Sequence, residues 1–559
     1  MRHTCLQCSA PYEVTDAYLA FLGRVSPTYG GKAYPIPAPV LCPDCRLQSR
    51  LVHRNERRLY NSVSSLSGKS ILSLVAPVSA HGRNYKVYTQ EEWWSDAWNG
   101  TDYGREFNFT RPFFEQFQEL ALEIPLINVV GLQNENCDYA AIVAYCRNCY
   151  LINASENSED CYYGHMLQRC RKAVDSSDVY DSELIYEGFN LHKCNSCTYV
   201  SNSTDCRDCH LSDNLRGCND CFLCTNLVRK QYCFLNQQLT KEDYLQRVRQ
   251  VRSDPRLWQE ALARLEKLRS ERVHKYANIT NSEDCTGDFI NASKDCHDSY
   301  DISGCQDCRF VTTADENKDL MDCSNMFVHC ELGYQVMSSI SSYHCAMNLY
   351  CYHGHDVYYS MQCWNSSNLF GCVGLKKDEY CILNKQYSKE EYEALVPRII
   401  AHMQTTGEWG KFFPASVSPY AYNETVAQEY FPRDAAGARM IGADWREEDD
   451  SNRYQGPKVF IPEWIEDVND AITDEILGCS QCGKNYKVIR QELRFYREMG
   501  LPVPTRCWNC RYASRLRLRN PRRLFDRTCS KCAKFIRSPY SPAGSEKVYC
   551  EECYLAEVY

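Results

Sequence analysis

The chain has 559 residues, more than one hydrophobic core can hold, so we expect about three or four folded units. Its composition, 44% hydrophobic and 24% charged, is typical of globular proteins and excludes wholesale disorder. The formal net charge of -9 argues against a protein that coats nucleic acid over its whole surface, although a local basic patch is compatible with it. The unusual features are 36 cysteines and 40 tyrosines.

The use of these cysteines depends on the cellular compartment. The first residues run directly into a Cys-x-x-Cys motif, and no apolar run of about 18 residues is present. We therefore expect a cytoplasmic protein that makes no membrane contact. In a reducing compartment, cysteines more often serve as metal ligands or stay free thiols than form disulfides.

Residues 1–60 are predicted to form an N-terminal four-cysteine zinc module. The pairs Cys5/Cys8 and Cys42/Cys45 each present two thiolates from one turn, and four thiolates in tetrahedral geometry suit zinc. Residues 61–130 are expected to be a mixed α/β connecting segment.

The next cysteines predict a β-helix-like solenoid over residues 131–239. Cys146, Cys170, Cys194 and Cys218 recur every 24 residues, and each 24-residue coil is expected to contain two similar arms of 12. A fixed period of this length, with short apolar segments between Asn, Asp, Ser and Gly, is typical of stacked coils. We expect Cys, Tyr and Ile inside the coils and Asn, Asp and Ser at their corners.

A second cysteine-rich block, residues 276–387, is predicted to be a duplicate of the first. FLCTNLVRKQYCFLNQQLTKEDY, from Phe222, matches FGCVGLKKDEYCILNKQYSKEEY, from Phe370, at a constant offset of 148. A capping box follows each copy, at Thr240 and at Ser388, and begins a helix. The remaining predicted segments are a helical insertion over 240–275 and a helix with a linker over 388–476.

Two more four-cysteine modules are predicted, a zinc-ribbon module over 477–527 and a small module over 528–559. The zinc-ribbon module is a copy of the N-terminal one, because CPDCRLQSRLVHRNERRLY matches CWNCRYASRLRLRNPRRLF in register. Closed sites of four thiolates leave no open coordination position, so about three structural Zn²⁺ ions per chain are expected. The predicted ligands are Cys5, Cys8, Cys42, Cys45, Cys479, Cys482, Cys507, Cys510, Cys529, Cys532, Cys550 and Cys553.

A resemblance supports these modules. CSQCGKNYKVIRQELRFYREMGLPVPTRCWNCR, from Cys479, resembles the probable zinc-ribbon family in its Cys-x-x-Cys-Gly, Glu-x-x-Phe-Tyr and Pro-x-Arg-Cys-x-x-Cys-Arg elements. CSKCAKFIRSPYSPAGSEKVYCEECY, from Cys529, resembles a second small bacterial zinc-binding motif but has Ala533 where a glycine is common. The whole arrangement is similar to a cysteine-rich family of candidate bacteria with small genomes. That resemblance implies zinc-ribbon or treble-clef architecture and no particular activity.

The arginines behind the matching modules carry the sharpest functional prediction. Arg511, Arg515 and Arg519 are four residues apart and therefore share one helical face. A metal-fixed patch of this kind can grip phosphates, which indicates contact with nucleic acid or the ribosome. The alternative is that these arginines pair with acids of the same chain or of a protein partner. The candidate contact residues are Arg46, Arg50, Arg54, Arg511, Arg515, Arg519, Arg522 and Arg523.

Three interpretations of the inner cysteines stay open. They form a stacked thiol ladder, an additional metal or iron–sulfur site, or a store of reversible disulfides. Their repetition at the coil period favours the ladder, because a cluster breaks the period. Histidines in or beside the solenoid could line a catalytic groove, although no established catalytic spacing is present. These histidines are His165, His329, His344, His353 and His355.

We interpret the chain as a non-enzymatic zinc-binding scaffold or binding protein of mainly β structure. Its partner is predicted to be nucleic acid or the ribosome. The alternatives are a protein–protein scaffold without a nucleic-acid role and a metal or redox enzyme that uses the solenoid face. Because the two matching modules have similar faces, they are expected to pack together, within one molecule or between the two chains of a homodimer.

Overall fold

The computed structural model describes residues 1–80, 82–327, 331–447 and 450–559. These residues form a mainly β protein with a smaller number of helices and three four-cysteine clusters, which confirms the predicted fold class at this level. Within the described ranges, no helix is both long and apolar enough to cross a lipid bilayer.

The region before the first cysteine-rich block is a mixture of short strands and helices. Its strands are Arg2–Thr4, Pro11–Glu13, Thr28–Tyr29, Lys32–Ala33, Tyr60–Val63, Ser70–Ser73, Val87–Tyr88 and Leu126–Ile127. Its helices are Asp16–Val25, Pro43–Leu51, Gln90–Trp94 and Phe113–Glu123, with a 3-10 turn at Gly100–Tyr103. We call Pro43–Leu51 the first knuckle helix, because it directly follows Cys42.

The first cysteine-rich block forms one 13-stranded sheet, here called the N-terminal stack (131–238). Its neighbouring strands run parallel in a register of 12 residues, so that Ala141 lies opposite Asn153 and Ser177 opposite Phe189, except that the last strand pairs antiparallel with Gln231–Phe234. The pairing step is thus half of the predicted 24-residue coil. The strands are Gly131–Leu132, Ala141–Ala144, Asn153–Glu156, His165–Gln168, Arg171–Val174, Ser177–Tyr180, Glu183–Tyr186, Phe189–His192, Asn195–Thr204, Arg207–Asp213, Asn219–Phe222, Gln231–Phe234 and Gln237–Gln238.

The backbone of this stack turns a corner at every third residue. From Gln133 to Leu235, each third residue has a φ between +48° and +61°, which is the left-handed region. For most residue types that region costs about 1–2 kcal/mol, but Asn, Asp and Gly adopt it readily. Asn and Asp are frequent at these corners, as at Asn190, Asn202 and Asn214. Each 12-residue step therefore contains four corners.

The interior of the stack is lined by small side chains. The Sγ atom of Cys209 lies 3.3 Å from the carbonyl oxygen of Arg207 and 3.5 Å from that of Cys218. Ser158 makes the same two contacts at its own step, since its hydroxyl lies near the carbonyl oxygens of Glu156 and Leu167. Cysteine and serine therefore fill equivalent interior positions, where a weak donor meets corner carbonyls.

Two helices, Lys241–Arg252 and Pro255–Glu271, follow the N-terminal stack. The first is capped by Thr240, whose side chain accepts the backbone N–H of Asp243, as the sequence predicted. The indole ring of Trp258 contacts the rings of Tyr199 and Phe222, so the second helix packs against the flank of the stack. Strand Val273–Lys275 then pairs with Lys547–Tyr549 of the last cysteine module.

The second cysteine-rich block forms a similar parallel arrangement, here called the C-terminal stack (279–386). Its step is mostly 12 residues, but it is 11 between Ile279 and Ile290 and 13 between Ser324 and Met337. The helix after it begins at a complete capping box of Ser388 and Glu391. The strands are Ile279–Thr280, Gly287–Asn291, Ser299–Ser303, Thr312–Asp315, Lys318–Met321, Ser324–Phe327, Glu331–Tyr334, Met337–Ile340, Leu349–Tyr352, His355–Tyr358, Ser367–Phe370, Glu379–Ile382 and Lys385–Gln386.

The remaining C-terminal region is mainly helical. Its helices are Lys389–Thr405, Val426–Tyr430, Ala435–Met440, Arg490–Met499, Trp508–Leu516 and Glu551–Val558. Its 3-10 turns are Ala415–Val417, Tyr422–Glu424, Asp450–Asn452, Ile465–Asp467 and Asp470–Thr473, and its strands are Leu477–Gly478, Asn485–Tyr486, Phe525–Thr528, Phe535–Ser538 and Lys547–Tyr549. We call Trp508–Leu516 the second knuckle helix, because it directly follows Cys507.

Candidate metal centres and their arginine contacts

The twelve predicted ligands come together in three groups of four. In each group, the sulfur atoms all lie within 4.8 Å of one another. Individual sulfur–sulfur distances are 3.6 Å for Cys8 and Cys42, 3.7 Å for Cys482 and Cys507, and 3.7 Å for Cys532 and Cys550. Zinc–sulfur bonds of about 2.3 Å in a tetrahedron place sulfur atoms about 3.8 Å apart. The sulfur positions therefore fit a four-thiolate metal site.

Each group begins with the same tight turn. Four residues after the first cysteine, Ser9, Gly483 and Ala533 all have a left-handed φ, of 60°, 71° and 60°. The N–H of each donates to the carbonyl oxygen of that first cysteine, at 3.0, 2.9 and 3.0 Å. Ala533 thus adopts the turn that glycine adopts at 483, although its side chain adds strain there.

Backbone N–H groups also favour the thiolate form that a metal needs. Burial alone would raise the pKa of Cys479, but N–H groups such as that of Cys507 lower this pKa to about 6. The pKa of Cys529 is lowered to about 6 in the same way, with Cys532 and Cys550 supplying N–H groups. Both cysteines therefore resemble ligands that lose their protons near neutral pH.

The first knuckle helix inserts its arginines into the C-terminal stack. Arg46 Nε lies 2.9 Å from Asp322 Oδ1, and Arg50 Nε donates to the Ser324 hydroxyl at 3.1 Å. The Arg46 guanidinium also lies over the ring of Phe310, 5.4 Å from its centroid, and the Tyr18 hydroxyl donates to Asp322. We call this set of contacts the N-terminal clamp.

The second knuckle helix makes the corresponding contacts on the N-terminal stack. Arg511 Nε lies 2.8 Å from Asp175 Oδ2, and Arg515 Nε donates to the Ser177 hydroxyl at 3.4 Å. The Arg511 guanidinium lies 5.0 Å from the ring centroid of Tyr163. We call this set of contacts the C-terminal clamp.

The two clamps use equivalent residues and cross over one another. Asp175 and Asp322, like Ser177 and Ser324, are 147 residues apart. The module at one end of the chain therefore grips the stack that lies closer to the other end. Arg46 and Arg511 also donate alike to a carbonyl oxygen five residues earlier, that of Leu41 and that of Arg506.

The C-terminal clamp contains two additional acids. Arg511 lies 3.3 Å from a carboxylate oxygen of Glu492, and Arg515 lies 3.1 Å from Glu187. Burial alone would lower the pKa of Arg511, but Asp175 and Glu492 hold this pKa well above its usual value. In the N-terminal clamp, Tyr18 stands at the position that corresponds to Glu492.

The remaining predicted contact arginines lie between the stacks or at the surface. Arg519 lies 3.1 Å from Asp178, and Arg522 lies 2.8 Å from Asp301. Arg54 is buried against Glu56. Arg523 is different, since its side chain is 59% exposed and lies 3.6 Å from Asp44.

Most of the predicted phosphate contacts are therefore placed inside the protein. Five of the eight arginines are only 1–4% exposed, so a phosphate group cannot reach them in this conformation; they are Arg46, Arg50, Arg54, Arg511 and Arg515. Their burial corresponds to the alternative, in which the arginines pair with acids of the same chain. Asp175 and Asp322 were not predicted as partners of these arginines, although their 147-residue separation differs by one residue from the 148-residue offset of the matching segments.

The matching modules also contact each other within the chain. The Arg57 guanidinium lies over the ring of Tyr512, 3.2 Å from its centroid, and 5.3 Å from that of Trp508. Arg57 also donates to the side-chain oxygen of Asn509 at 3.4 Å. The expected packing of the two copies is therefore found inside one molecule.

The histidines do not assemble a common site. His344 lies 2.6 Å from Asp356, which also contacts His355, whereas His165 is bound between Glu56 and Arg519. His353 is exposed, and His329 lies outside the described residues. In the described ranges, no further group of closely spaced Cys, His, Asp or Glu ligands accompanies the three cysteine clusters.

No protein-family model, curated protein or solved structure matches the chain. The resemblance to zinc ribbons thus stays a prediction.

Proposed function

We propose that this protein is a zinc-dependent binding scaffold in which two β-solenoids are locked together by two metal-held arginine helices. The crossed clamps carry the proposal. Each knuckle helix starts at a cysteine cluster and ends in a stack, so the metal sites fix the helices and the helices fix the stacks.

Zinc is the metal that best suits these sites. Four thiolates without a carboxylate or imidazole ligand favour a soft ion with tetrahedral preference. Bound there, the ion would supply folding energy and no open coordination position for chemistry. The residues that would hold it are the three cysteine quartets, and what they position is the helix behind each quartet.

The solenoid interpretation is supported by the parallel 12-residue step and the corner at every third residue. Such a coil cannot bury a core alone, so its stability comes from stacking on its neighbours. A long stack exposes regular rows of side chains, and this property suits a binding surface better than a single catalytic pocket. The duplication of the stacks is supported by the two clamps, which engage residues at matching positions.

A nucleic-acid role has weaker support, because most of the arginines that were predicted to contact phosphate are buried in or beside the clamps. Arg490, Arg494, Arg497, Arg517 and Arg523 are exposed on the second module, but of these only Arg523 belongs to the predicted phosphate contacts. Little of the predicted electrostatic footprint for phosphate binding is therefore left at the surface, and the chain as a whole carries a net charge of -9.

The experiment that separates these functions measures RNA binding and scaffold integrity on the same preparation. Zinc-loaded full-length protein is titrated into a fluorescent single-stranded RNA at low salt, and the anisotropy is recorded. The scaffold proposal expects no saturable binding, and it expects chelation of zinc to expose the knuckle helices to protease. Tight, salt-sensitive RNA binding that is lost in an Arg517→Glu/Arg523→Glu variant would assign the function to nucleic acid instead. Resistance of the chelated protein to protease would remove the structural role of the metal.

A further inference from the structure

We infer that the cleft between the two stacks is a binding site for a neutral, polyhydroxylated ligand, namely a short oligosaccharide. The cleft encloses about 760 Å³ and is lined by both stacks and by the segment from Arg519 to Arg522. That volume is in the range of small-molecule sites. The inference rests on the proposed function, because the clamps are what hold the two walls apart.

The walls of the cleft are built from side chains in register. One wall carries a row of side chains from successive strands of the N-terminal stack. The facing wall carries a similar row of side chains from the C-terminal stack. Rungs of a parallel sheet are about 4.8 Å apart, so each wall presents a regular array of hydrogen-bonding groups. The rows are Gln168, Tyr180, His192, Thr204 and Arg216 on one side and Thr280, Asn291, Ser303 and Asp315 on the other.

A second row on the N-terminal wall consists of asparagines. Asn190, Asn202 and Asn214 occupy corners one step apart, and all three line the cleft. The amide of Asn190 donates to the side-chain oxygen of Asn202 at 3.0 Å, which fixes the orientation of both amides. A primary amide both donates and accepts hydrogen bonds, and so does a hydroxyl group. An oriented row of amides therefore suits a ligand that carries many hydroxyl groups.

The charges of the cleft disfavour an anionic ligand. Three of its four arginines are already paired with acids, Arg519 with Asp178, Arg522 with Asp301 and Arg169 with Asp181. Seven carboxylates face the cleft against four arginines, so a phosphate or sulfate would meet net repulsion. The seven are Glu56, Asp178, Asp205, Asp288, Asp301, Asp315 and Glu429.

A neutral ligand is favoured over a cation because most of these acids already have partners. Asp288 is buried and accepts three N–H groups, two from Asn278 and one from Asn520. Asp205 and Asp315, on opposite walls, are exposed carboxylates that can accept hydroxyl protons. The half-buried aromatic rings of Tyr180 and Phe289 supply apolar surface for the faces of sugar rings.

The cleft is preorganised by the second module. Arg519 reaches the N-terminal stack at Asp178, and Arg522, three residues later, reaches the C-terminal stack at Asp301. The Arg522 guanidinium lies over the ring of Tyr430, 4.1 Å from its centroid. This bridge sets the distance between the walls before any ligand binds, which lowers the entropic cost of binding.

The test is calorimetric titration of the zinc-loaded full chain with three neutral hexasaccharides: cellohexaose, maltohexaose and chitohexaose in its N-acetylated form. Spermine and tripolyphosphate serve as cationic and anionic probes. We expect saturable binding of at least one hexasaccharide and weakening by about tenfold in Asn202→Ala, because the variant loses a hydrogen bond and leaves its ligand partner unpaired.

A matched control exists in the same stack. Asn136 donates to Asn148 at 2.9 Å, as Asn190 does to Asn202, but this pair lies outside the cleft. Asn148 and Asn202 have φ values of 54° and 50°, so alanine is equally strained at both positions. Asn148→Ala should bind the sugar as the natural chain does. Thr204→Val, which removes a cleft hydroxyl at nearly constant shape, is the second test variant.

Each outcome decides the matter. The inference fails if no hexasaccharide binds at millimolar concentration, if spermine or tripolyphosphate binds more tightly, or if Asn148→Ala loses affinity as Asn202→Ala does. A chain that keeps three metals but binds no sugar leaves the scaffold intact and removes only the ligand. Sugar binding that survives chelation unchanged supports the site and removes its dependence on the metal-held clamps.

Discussion

Arg46 and Asp322 form a buried ion pair, with 2.9 Å between the guanidinium Nε and a carboxylate oxygen that also lies 3.6 Å from Arg50. Among the side chains that the structure describes, Asp322 is the one carboxylate paired with either arginine. In the C-terminal clamp, Asp175 is joined by Glu187 and Glu492. The two clamps therefore share their geometry but differ in how many acids balance their arginines.

This difference predicts unequal effects of removing the central acid. Asp322→Ala leaves two buried guanidinium groups without a carboxylate partner, and breaking a buried ion pair costs about 3–5 kcal/mol. Asp175→Ala should cost less, because Glu492 still faces Arg511 and Glu187 still faces Arg515. Hydrogen exchange of the amides in the first and second knuckle helices measures the two losses separately.

The control for this pair of variants is an exposed ion pair of the N-terminal stack. Arg171 and Glu183 are 57% and 37% exposed, so Glu183→Ala should change stability by less than about 1 kcal/mol. Equal losses in Asp322→Ala and Asp175→Ala would mean that the extra acids of the C-terminal clamp contribute nothing.

A second prediction concerns the metal count. The natural chain should contain about three zinc ions, and Cys482→Ser about two, because a four-thiolate site loses most of its affinity with one ligand. Cys209→Ser should keep three, since Cys209 lies in the interior of the N-terminal stack and contacts carbonyl oxygens. Elemental analysis of the three purified proteins measures the zinc content of each. Iron in the natural chain, or a lower zinc count in Cys209→Ser, would mean that the inner cysteines bind metal.

The cysteine clusters could be predicted from the sequence because their chemistry is local. Two Cys-x-x-Cys turns specify four ligands with little dependence on the rest of the fold, and the turn at Ala533 forms even without glycine. The helix starts at Thr240 and Ser388 were predictable for the same reason, since a cap needs only its own neighbours.

The corner at every third residue was not predicted, although the cysteine spacing of the first block contains it. All cysteines from Cys137 to Cys233 are separated by multiples of three, which corresponds to one interior residue between successive corners. The 24-residue period appeared instead because serine, glycine, alanine and leucine occupy the same interior positions as cysteine. In the second block the frame shifts where the steps are 11 and 13 residues.

The clamps could not be predicted, because their contacts join residues that are far apart in the sequence. The spacing of Arg511 and Arg515 gives the same helical face whether the partner is a phosphate or a carboxylate. Only the packing of the helix on Asp175, more than 300 residues earlier, distinguishes the two.

A third prediction follows from the interior of the stacks. Cys209→Ser should fold and keep its parallel pairing, because serine already makes both carbonyl contacts at Ser158 and the first of them at Ser203. Cys209→Leu should destabilise the stack by about 1–3 kcal/mol, since Cys197 and Cys221 fill the adjacent steps and leave no room for a larger side chain. Urea denaturation followed by circular dichroism compares the two. A leucine variant as stable as the serine variant would contradict the close packing.

The last prediction is a pH dependence that comes from His53. Its side chain is buried between the rings of Phe412 and Phe413, and burial lowers the pKa of the imidazole to about 4. In the unfolded chain the pKa of this imidazole is about 6.5. As the pH falls below that value, His53 becomes protonated in the unfolded state but stays neutral in the folded state. The stabilisation is therefore complete above pH 6.5 and is lost progressively towards pH 4, by about 2 kcal/mol at pH 5.

His53→Gln should remove this part of the pH dependence. The difference in unfolding free energy between the natural chain and His53→Gln should shift by about 2 kcal/mol between pH 7.5 and pH 5, in favour of the variant at the lower pH. Because zinc–thiolate bonds weaken with acid in both proteins, the comparison cancels their contribution. A difference that stays constant with pH would mean that His53 titrates normally in the folded protein.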